Sequence, residues 1–449
     1  MRSALVEGAR WWASAFEAAG FLDAFRVEVL PADAHPLDIR YNVIQWVHRS
    51  TRGWSYGDSI MDPRTGEILK GHVSLGSLRV RQDYLIAEGL LSPYADETVP
   101  PAMLEMALAR IRQLSAHEVG HTLGFEHNFA ASTQDRSSVM DYPAPLVRIL
   151  EDNTLDLSEA YDNKIGAWDK RVVIYAYQDF PPDVDEDAAR TAILEETIAA
   201  GFKYVGDSDS RSIATAHPDG NLWDNGVDAI AELEHLMEVR SIALGNFPTR
   251  SVRVGRPLAT VEEVLVPIYL LHRFQIKAVG KLIGGQYFHY NLRGDGQPSP
   301  SPVEANRQQQ AIAVLLKTLE PEFLDLPESV VNAIAPRPPN YPKTRETFAG
   351  QTGITFDAKA PAASAAALTL SILLEPSRAA RMMQSGQVGF AAVTDALVDA
   401  TWFARPEAGV RGAIQRQTNL QVLYALLTLA FDASADGDVR AIALAAVHS

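Results

Sequence analysis

The chain has 449 residues, of which 47% are hydrophobic and 21% charged, with a formal net charge of −16 and no cysteine. By length alone it should fold as about two to four domains. The acidity disfavours nucleic acid and anionic membranes as main partners, because phosphate binding needs clustered lysine and arginine. The lack of cysteine excludes disulfides and thiolate metal sites within this chain.

The first elements alternate between helical and strand patterns. Residues 4–20 carry apolar side chains at helical spacing and end at Gly20. Residues 25–30 alternate like a strand, and residues 39–48 are rich in β-branched and aromatic side chains. The opening lacks the basic-then-apolar order of a signal peptide, and no apolar run reaches the length of a membrane span. We therefore expect no transmembrane segment.

A β-hairpin is predicted next. Residues 58–61 and 67–75 flank Asp62-Pro63-Arg64-Thr65-Gly66, whose composition is typical of a turn. The second arm contains Gly71, His72, Val73 and Ser74.

A helix over residues 101–123 carries the most informative motif of the chain, H-E-x-x-H-x-x-G-x-x-H. His117 and His121 are four residues apart, so they share one helix face and can bind one metal ion. Gly124 tolerates positive φ and can end the helix, which lets the chain return His127 from another direction. Three imidazoles with one open position form the ligand set of a catalytic zinc, and Glu118 is placed to act as its general base.

A second segment, Ser138-Val139-Met140-Asp141-Tyr142-Pro143, begins eleven residues after His127. Together the two motifs resemble the metzincin clan of zinc endopeptidases, in which the zinc motif is followed by a methionine turn. The resemblance implies that Met140 is an apolar floor beneath the metal. It also implies that Tyr142 approaches the zinc and donates a hydrogen bond to the developing oxyanion. The alternative for Tyr142 is a packed tyrosine with a satisfied hydroxyl.

A closer resemblance is to the bacterial zinc-dependent metalloproteases that carry a Met-zincin domain. It is carried by segments 7–21, 79–84, 222–226 and 271–275. Members of that family are typically longer at the N-terminus, with an export signal, so we expect an exported protein, periplasmic or extracellular. By the same resemblance the arm with Gly71, His72, Val73 and Ser74 is the sheet edge that pairs with an extended substrate. The alternative is a structural hairpin.

The remainder is predicted to be mostly helical. After a short hairpin at 146–149 and 154–157, helices are expected at 161–177, 228–244 and 261–282, followed by a strand at 286–292. A proline- and glycine-rich connector covers 335–362, and helices follow at 362–374, 390–402 and 409–429. The predicted fold class is α+β. It comprises a metzincin-type catalytic domain (1–205), a mainly helical domain or extension (206–340) and a helical C-terminal domain (341–449).

Other polar residues are weaker candidates. Glu126 and Asn128 flank His127 and could orient it, although solvated loop polarity is equally consistent with them. A calcium site is possible at the acidic residues Asp207, Asp209 and Asp295, but the sequence does not support one. A surface pair is expected at His235 and Glu238 and a core histidine at His272, and the acidic loop at 432–443 lacks the glutamate that a calcium loop requires.

The sequence therefore predicts a zinc endopeptidase with one catalytic Zn²⁺ that hydrolyses extended protein or peptide substrates. Two alternatives stay open. One is a protein-binding or scaffold module with an inactive zinc site, and it conflicts with the intact Glu118. The other is a latent peptidase blocked by an N-terminal region outside this chain.

Overall fold

The computed structural model of the protein describes residues 1–49, 53–94 and 99–448. The elements of the first half are α1 (Arg2–Arg10), α2 (Trp12–Ala18), β1 (Val43–Val47), β2 (Tyr56–Met61), β3 (Ile68–Gly76), α3 (Leu78–Leu91), α4 (Pro101–Thr122), β4 (Arg148–Ile149), β5 (Leu155–Asp156), α5 (Ala167–Tyr177) and α6 (Glu186–Ala199). The described part is therefore rich in helices and has few strands, which is consistent with an α+β fold.

The second half is almost entirely helical. Its elements are α7 (Ala229–Asn246), α8 (Val261–Tyr269), α9 (Gln275–Gly280), β6 (Gln286–Tyr287), β7 (Ser301–Pro302), α10 (Ala305–Lys317), α11 (Pro321–Leu324), α12 (Glu328–Ala333), α13 (Ala360–Leu373), α14 (Pro376–Ser385), α15 (Phe390–Thr401), α16 (Gly409–Phe431) and α17 (Gly437–His448). Most of the connector predicted at 335–362 is confirmed, since no helix or strand lies between α12 and α13 in this described stretch, although α13 already begins at Ala360. None of the helices in the described ranges is long and apolar enough to cross a membrane.

The main sheet places β3 in the centre, with the order β1-β3-β2. β1 runs parallel to β3 and pairs Val43 with His72, whereas β2 runs antiparallel and pairs Asp58 with the same His72. The prediction that Gly71, His72, Val73 and Ser74 form an edge strand is therefore wrong. The strong strand pattern at 39–48 identified β1 correctly, but a sequence does not show on which side of the hairpin such a strand pairs. The antiparallel edge is β2.

The zinc-motif helix α4 is held from behind by α1 and α2. A Cβ atom on Gly8 would lie 2.0 Å from the carbonyl oxygen of Arg112, so the two helix backbones are in direct contact there. Trp12 is fully buried and its indole Nε1 donates to the Ala116 carbonyl at 2.8 Å. The Ser115 hydroxyl donates to the Leu5 carbonyl at 2.7 Å. These contacts fix the position of α4 one turn before the first histidine.

Two hydrophobic cores share α4. The smaller core packs α1, α2, β3 and α5 against the C-terminal part of α4. The larger core joins α3 and the first turns of α4 to the helices from α7 to α17. The first and second halves are thus packed together through α3 and α4, and the boundaries at 205 and 340 stay a prediction.

Several predicted elements differ from the structure. The strand expected at 286–292 is only β6 (Gln286–Tyr287), and the helix expected at 4–20 is divided into α1 and α2 at Trp11. Residues 25–30 form no strand, and Arg10 instead donates to the Val27 carbonyl from α1 at 2.8 Å. Helix α5 starts at Ala167 rather than 161, because the Asp169 carboxylate accepts the Gly166 amide and caps the helix there. The helix predicted at 261–282 is broken after Tyr269. α8 accommodates Pro267, and the chain passes through a short 3₁₀ turn at Leu271–Arg273 before α9 begins.

The contact between α1 and α4 generates a stability prediction. Gly8→Ala should lower the free energy of unfolding by about 1–3 kcal/mol, because the added methyl overlaps the Arg112 carbonyl and forces the helices apart. Urea denaturation followed by circular dichroism measures the change. The matched control is Gly245→Ala in α7, where a Cβ meets nothing within 4 Å. There the same substitution should stabilise by about 0.5–1 kcal/mol. Equal effects at the two sites would contradict the close approach.

Candidate metal centre

Helix α4 ends in a turn that brings three histidines together. Gly124 has φ +87°, and the Phe125 amide donates to the Gly120 carbonyl at 3.1 Å while the Gly124 amide donates to the His121 carbonyl at 3.0 Å. These two bonds form a Schellman motif, which needs a left-handed residue at the position that Gly124 occupies. The Phe125 ring then packs on Trp12, with centroids 5.4 Å apart. The chain reverses here and carries His127 back toward the helix.

The three imidazoles converge through their Nε2 atoms. The Nε2 of His121 lies 3.2 Å from the Nε2 of His117 and 3.2 Å from the Nε2 of His127. A tetrahedral zinc with bonds of 2.0–2.1 Å spaces its ligand nitrogens by about 3.3–3.4 Å. Within the described part of the chain, this cluster is the group of three candidate ligands that could hold a metal ion. The residues therefore fit a zinc ion.

Each imidazole is oriented through its other nitrogen. The Nδ1 of His117 donates to the Val139 carbonyl at 2.7 Å, and the Nδ1 of His121 donates to the Phe125 carbonyl at 2.8 Å. The Nδ1 of His127 lies 2.8 Å from Asp207 Oδ2. Because all three partners accept hydrogen bonds, each Nδ1 carries the proton and each Nε2 keeps its lone pair for a metal.

Burial keeps these rings neutral. It lowers the pKa of His117 well below its usual value, and it lowers the pKa of His121 as well. Burial also lowers the pKa of His127 to about 4, against the opposing hydrogen bond to Asp207. Neutral imidazole is the protonation state that metal ligation requires.

The methionine turn supports the first ligand. The carboxylate of buried Asp169 accepts the Ser138 hydroxyl at 2.6 Å and the Val139 amide at 2.8 Å. The turn thereby presents the Val139 carbonyl to His117. Met140 is fully buried, and a Cβ on Gly120 would lie 2.2 Å from its sulfur. Met140 thus packs directly against the helix between the two histidines of α4.

Glu118 lies on the side of α4 that faces β2. Its side chain is 4% exposed, and burial raises the pKa of its carboxyl to about 7, although Arg110 and the Gly57 amide favour the charged form. A Cβ on Gly57 would lie 1.9 Å from the Glu118 carbonyl oxygen, so the strand backbone rests on the helix. Glu118 forms no ion pair with any described residue, so none of these residues neutralises its carboxylate directly.

Tyr142 stands beside the cluster. Its ring centroid is 5.3 Å from that of His117 and 4.7 Å from that of His127. Its hydroxyl accepts a hydrogen bond from Arg211 Nη2 at 3.3 Å. Trp223 packs on its other side at 5.0 Å, and the Trp223 amide donates to the Tyr142 carbonyl at 2.8 Å. Trp223 has φ +63°, a left-handed conformation that is strained for this residue.

Sequence reasoning missed Arg211 and Trp223 as site residues, and it considered Asp207 for calcium rather than for the histidine cluster. Trp223 lies in a segment that carried the family resemblance, but no local pattern links Asp207 to a histidine 80 positions away. Of the two residues proposed to orient His127, Glu126 is exposed. Asn128 is fully buried and acts on the backbone instead, with its side-chain amide donating to the Lys203 carbonyl at 2.9 Å. It therefore holds the segment that leads to Asp207.

The other candidates form no second site in the described ranges. Asp207 is engaged by His127 and Arg211, and Asp295 accepts the Leu292 and Gln297 amides of its own loop at 2.6 and 3.0 Å. His235 donates to the Val147 carbonyl at 2.7 Å. His272 is fully buried against the ring of Phe323, as a core histidine is, although neither of its nitrogens has a hydrogen-bond partner among the described residues.

Fold and site together define a metzincin type of metal centre, with a helix-borne histidine pair, a third histidine after a glycine turn and a buried methionine packed against the helix. A family model described as Met-zincin matches residues 100–408, which is more than half of the chain. The chain belongs to this Met-zincin family. No curated protein and no solved structure matches it.

A buried carboxyl pair next to the methionine turn generates a pH prediction. Ser132 donates its amide to Asp141 Oδ2 at 2.9 Å and its hydroxyl to Asp224 Oδ2 at 3.2 Å. Burial, together with the charge of Asp224, raises the pKa of Asp141 well above its usual value. Burial raises the pKa of Asp224 to about 7. The folded state therefore binds more protons than the unfolded state between about pH 4 and pH 7, and stability falls as pH rises through that window.

Asp224→Asn should flatten this dependence, because it removes one of the two repelling carboxyls. We expect the drop in unfolding free energy from pH 4.5 to pH 7 to shrink by about 1–3 kcal/mol, measured by urea denaturation at each pH. Asp395→Asn on the exposed face of α15 is the control and should leave the slope unchanged. An unaltered slope in Asp224→Asn would show that Asp224 does not contribute to the pH dependence.

Proposed function

We propose that this protein is a zinc-dependent endopeptidase that hydrolyses peptide bonds in extended protein or peptide substrates. The observation that carries the proposal is the convergence of three Nδ1-protonated imidazoles on one point, with Glu118 beside them. A bound zinc would supply Lewis acidity toward a scissile carbonyl and lower the pKa of a water molecule to about 7.

Glu118 is proposed to move the proton. A base with a pKa near the working pH both accepts a proton readily and returns it readily. Burial brings the carboxyl of Glu118 into that range in this fold. We propose that it takes a proton from the attacking water and then gives it to the leaving amine.

Tyr142 is proposed to stabilise the oxyanion. The guanidinium of Arg211 can only donate, so the Tyr142 oxygen accepts from it and the hydroxyl proton is left to donate elsewhere. The ring is adjacent to two of the three ligands, so we propose that its hydroxyl reaches the substrate carbonyl oxygen that develops negative charge at the metal.

The edge strand β2 supports an extended substrate. β2 pairs with β3 on one side, and its outer side pairs with no strand of the described chain. The Ser59 amide donates to Asp58 Oδ1 at 2.8 Å, and the Gly57 amide lies against the Glu118 carboxylate. Residues two apart point to the same side of a strand, so both amides belong to the outer side. Both amides already have side-chain acceptors, so a peptide that adds along this edge, next to the base, would take the place of the Asp58 and Glu118 carboxylates on them.

A second candidate is a protein-binding module whose zinc site is inactive. The burial of Glu118 is the observation that favours it, since a carboxylate covered by β2 could be held away from a substrate. The same experiment separates the two functions.

We predict that Glu118→Ala keeps about one zinc per chain and loses cleavage of a mixed peptide library by a factor of about 10²–10⁴. Metal content is measured by elemental analysis and cleavage by mass spectrometry. Glu126→Ala is the matched control, because Glu126 is an exposed glutamate of the same motif, and it should keep both properties. Zinc in both proteins with cleavage in neither would favour the binding module, and no zinc in wild type would overturn the metal site.

Tyr142→Phe should lower kcat by about 10²-fold with little change in KM, because a hydrogen bond that forms only in the transition state is lost. Steady-state kinetics on one peptide from the library measures both constants. Tyr204→Phe, at an exposed tyrosine of the neighbouring segment, should change neither. An unchanged kcat in Tyr142→Phe would show that Tyr142 is only a packing residue.

A further inference from the structure

A segment between the two halves of the chain reaches over the metal centre, and we call residues 203–226 the bridging segment. Side chains of the helical half donate hydrogen bonds to the backbone carbonyl oxygens of the bridging segment. Lys281 Nζ donates to Ser210 at 2.7 Å, Arg378 Nη2 to Ile213 at 2.7 Å and Arg381 Nη1 to Ala214 at 2.8 Å. Lys281 and Arg378 are at most 2% exposed, so these anchors are shielded from water.

The other side of the bridging segment contacts the site. Asp207 uses both carboxylate oxygens, Oδ2 for the Nδ1 of His127 at 2.8 Å and Oδ1 for the Nε of Arg211. Arg211 uses two donors, Nε for Asp207 and Nη2 for the Tyr142 hydroxyl at 3.3 Å. Its guanidinium also lies over the Tyr142 ring at 5.4 Å and over the Phe129 ring at 5.7 Å.

We propose that Asp207 and Arg211 are positioning residues that tie the third zinc ligand to Tyr142. The proposal deepens the peptidase function and rests on it. Asp207 fixes the ring plane and the tautomer of His127, as a carboxylate partner does for many metal-binding histidines. Arg211 fixes where the Tyr142 hydroxyl points. One ion pair thereby sets the distance between a ligand and the oxyanion donor.

The geometry favours positioning over a purely electrostatic role. The side chains of Asp207 and Arg211 are 36% and 48% exposed, so water screens much of the charge that they place near the metal. Their hydrogen bonds are directional and do not depend on long-range charge. The planar guanidinium can serve Asp207 and Tyr142 together, and a lysine ammonium has no such fork.

The test separates metal affinity from turnover. Asp207→Ala should weaken zinc binding by about 10- to 100-fold, measured by competition with a chromophoric chelator. Asp209→Ala is the matched control in the same turn, where the carboxylate accepts the Tyr290 hydroxyl at 2.9 Å, and it should leave the zinc Kd unchanged. A zinc Kd in Asp207→Ala that matches the control would overturn the role of Asp207.

For Arg211, the expected effect is on kcat and not on zinc. Arg211→Met should lower kcat by about 10-fold or more with KM and the zinc Kd unchanged. Arg211→Lys should recover part of kcat, because one donor returns. The double variant Arg211→Met/Tyr142→Phe should be no slower than Tyr142→Phe alone. Arg190→Met, at a partly exposed i,i+4 ion pair with Glu186 on α6, controls for loss of an arginine. If the kcat losses of the two single variants multiply in the double variant, Arg211 does not act through Tyr142 and the proposal is overturned.

The positioning claim can be judged even where the peptidase function fails. Acetohydroxamate binds zinc sites without turnover, and its carbonyl oxygen takes the place of the substrate oxygen. If wild type cleaves nothing, the proposed function fails, and calorimetry with acetohydroxamate replaces kinetics. Equal weakening of acetohydroxamate binding in Tyr142→Phe, Arg211→Met and the double variant supports the link. Unchanged binding in Arg211→Met overturns it.

Discussion

The metal centre depends on three hydrogen bonds that face away from the metal. The Nδ1 atoms of His117, His121 and His127 each donate to a fixed acceptor, at 2.7, 2.8 and 2.8 Å. Imidazoles without such partners could rotate or change tautomer, and their Nε2 lone pairs would no longer converge. Each acceptor comes from a different structural feature, namely the methionine turn, the glycine turn that ends α4 and the bridging segment. The site is therefore a product of three separate parts of the fold, although its ligands lie within eleven residues of sequence.

This distribution explains what the sequence could and could not predict. The histidines, Glu118 and Gly124 follow from helix spacing and from the conformational freedom of glycine, both of which are local properties. The strand pattern of β1 and the hairpin of β2 and β3 are also local. The side on which β1 pairs depends on tertiary packing, and the edge strand was consequently assigned to the wrong arm. Asp207 lies 80 positions from its histidine, and only the folded chain brings them together.

Packing of the two halves gives the helical region a role at the site. The larger core runs through α3 and the first turns of α4 into the helices of the second half. Helix α4 is thus held at its start by that core and at its end by the smaller one with Trp12 and Phe125. The bridging segment adds a second connection, because buried lysine and arginine side chains fix its carbonyl oxygens. A substitution in the core of the helical half can therefore change the geometry of the metal centre although the substituted residue contacts no metal ligand.

Glu118 shows how the same packing can serve chemistry. A carboxyl that is 4% exposed is costly to ionise, and the structure compensates only partly, through the Gly57 amide and the charge of Arg110. Full compensation by an ion pair would hold the pKa low and make the group a poor base. The absence of compensation would leave it protonated at neutral pH. An intermediate environment places the carboxyl between those limits, where accepting and returning a proton have similar costs. Because Gly57 belongs to β2, the strand that could bind substrate also adjusts the base beside it.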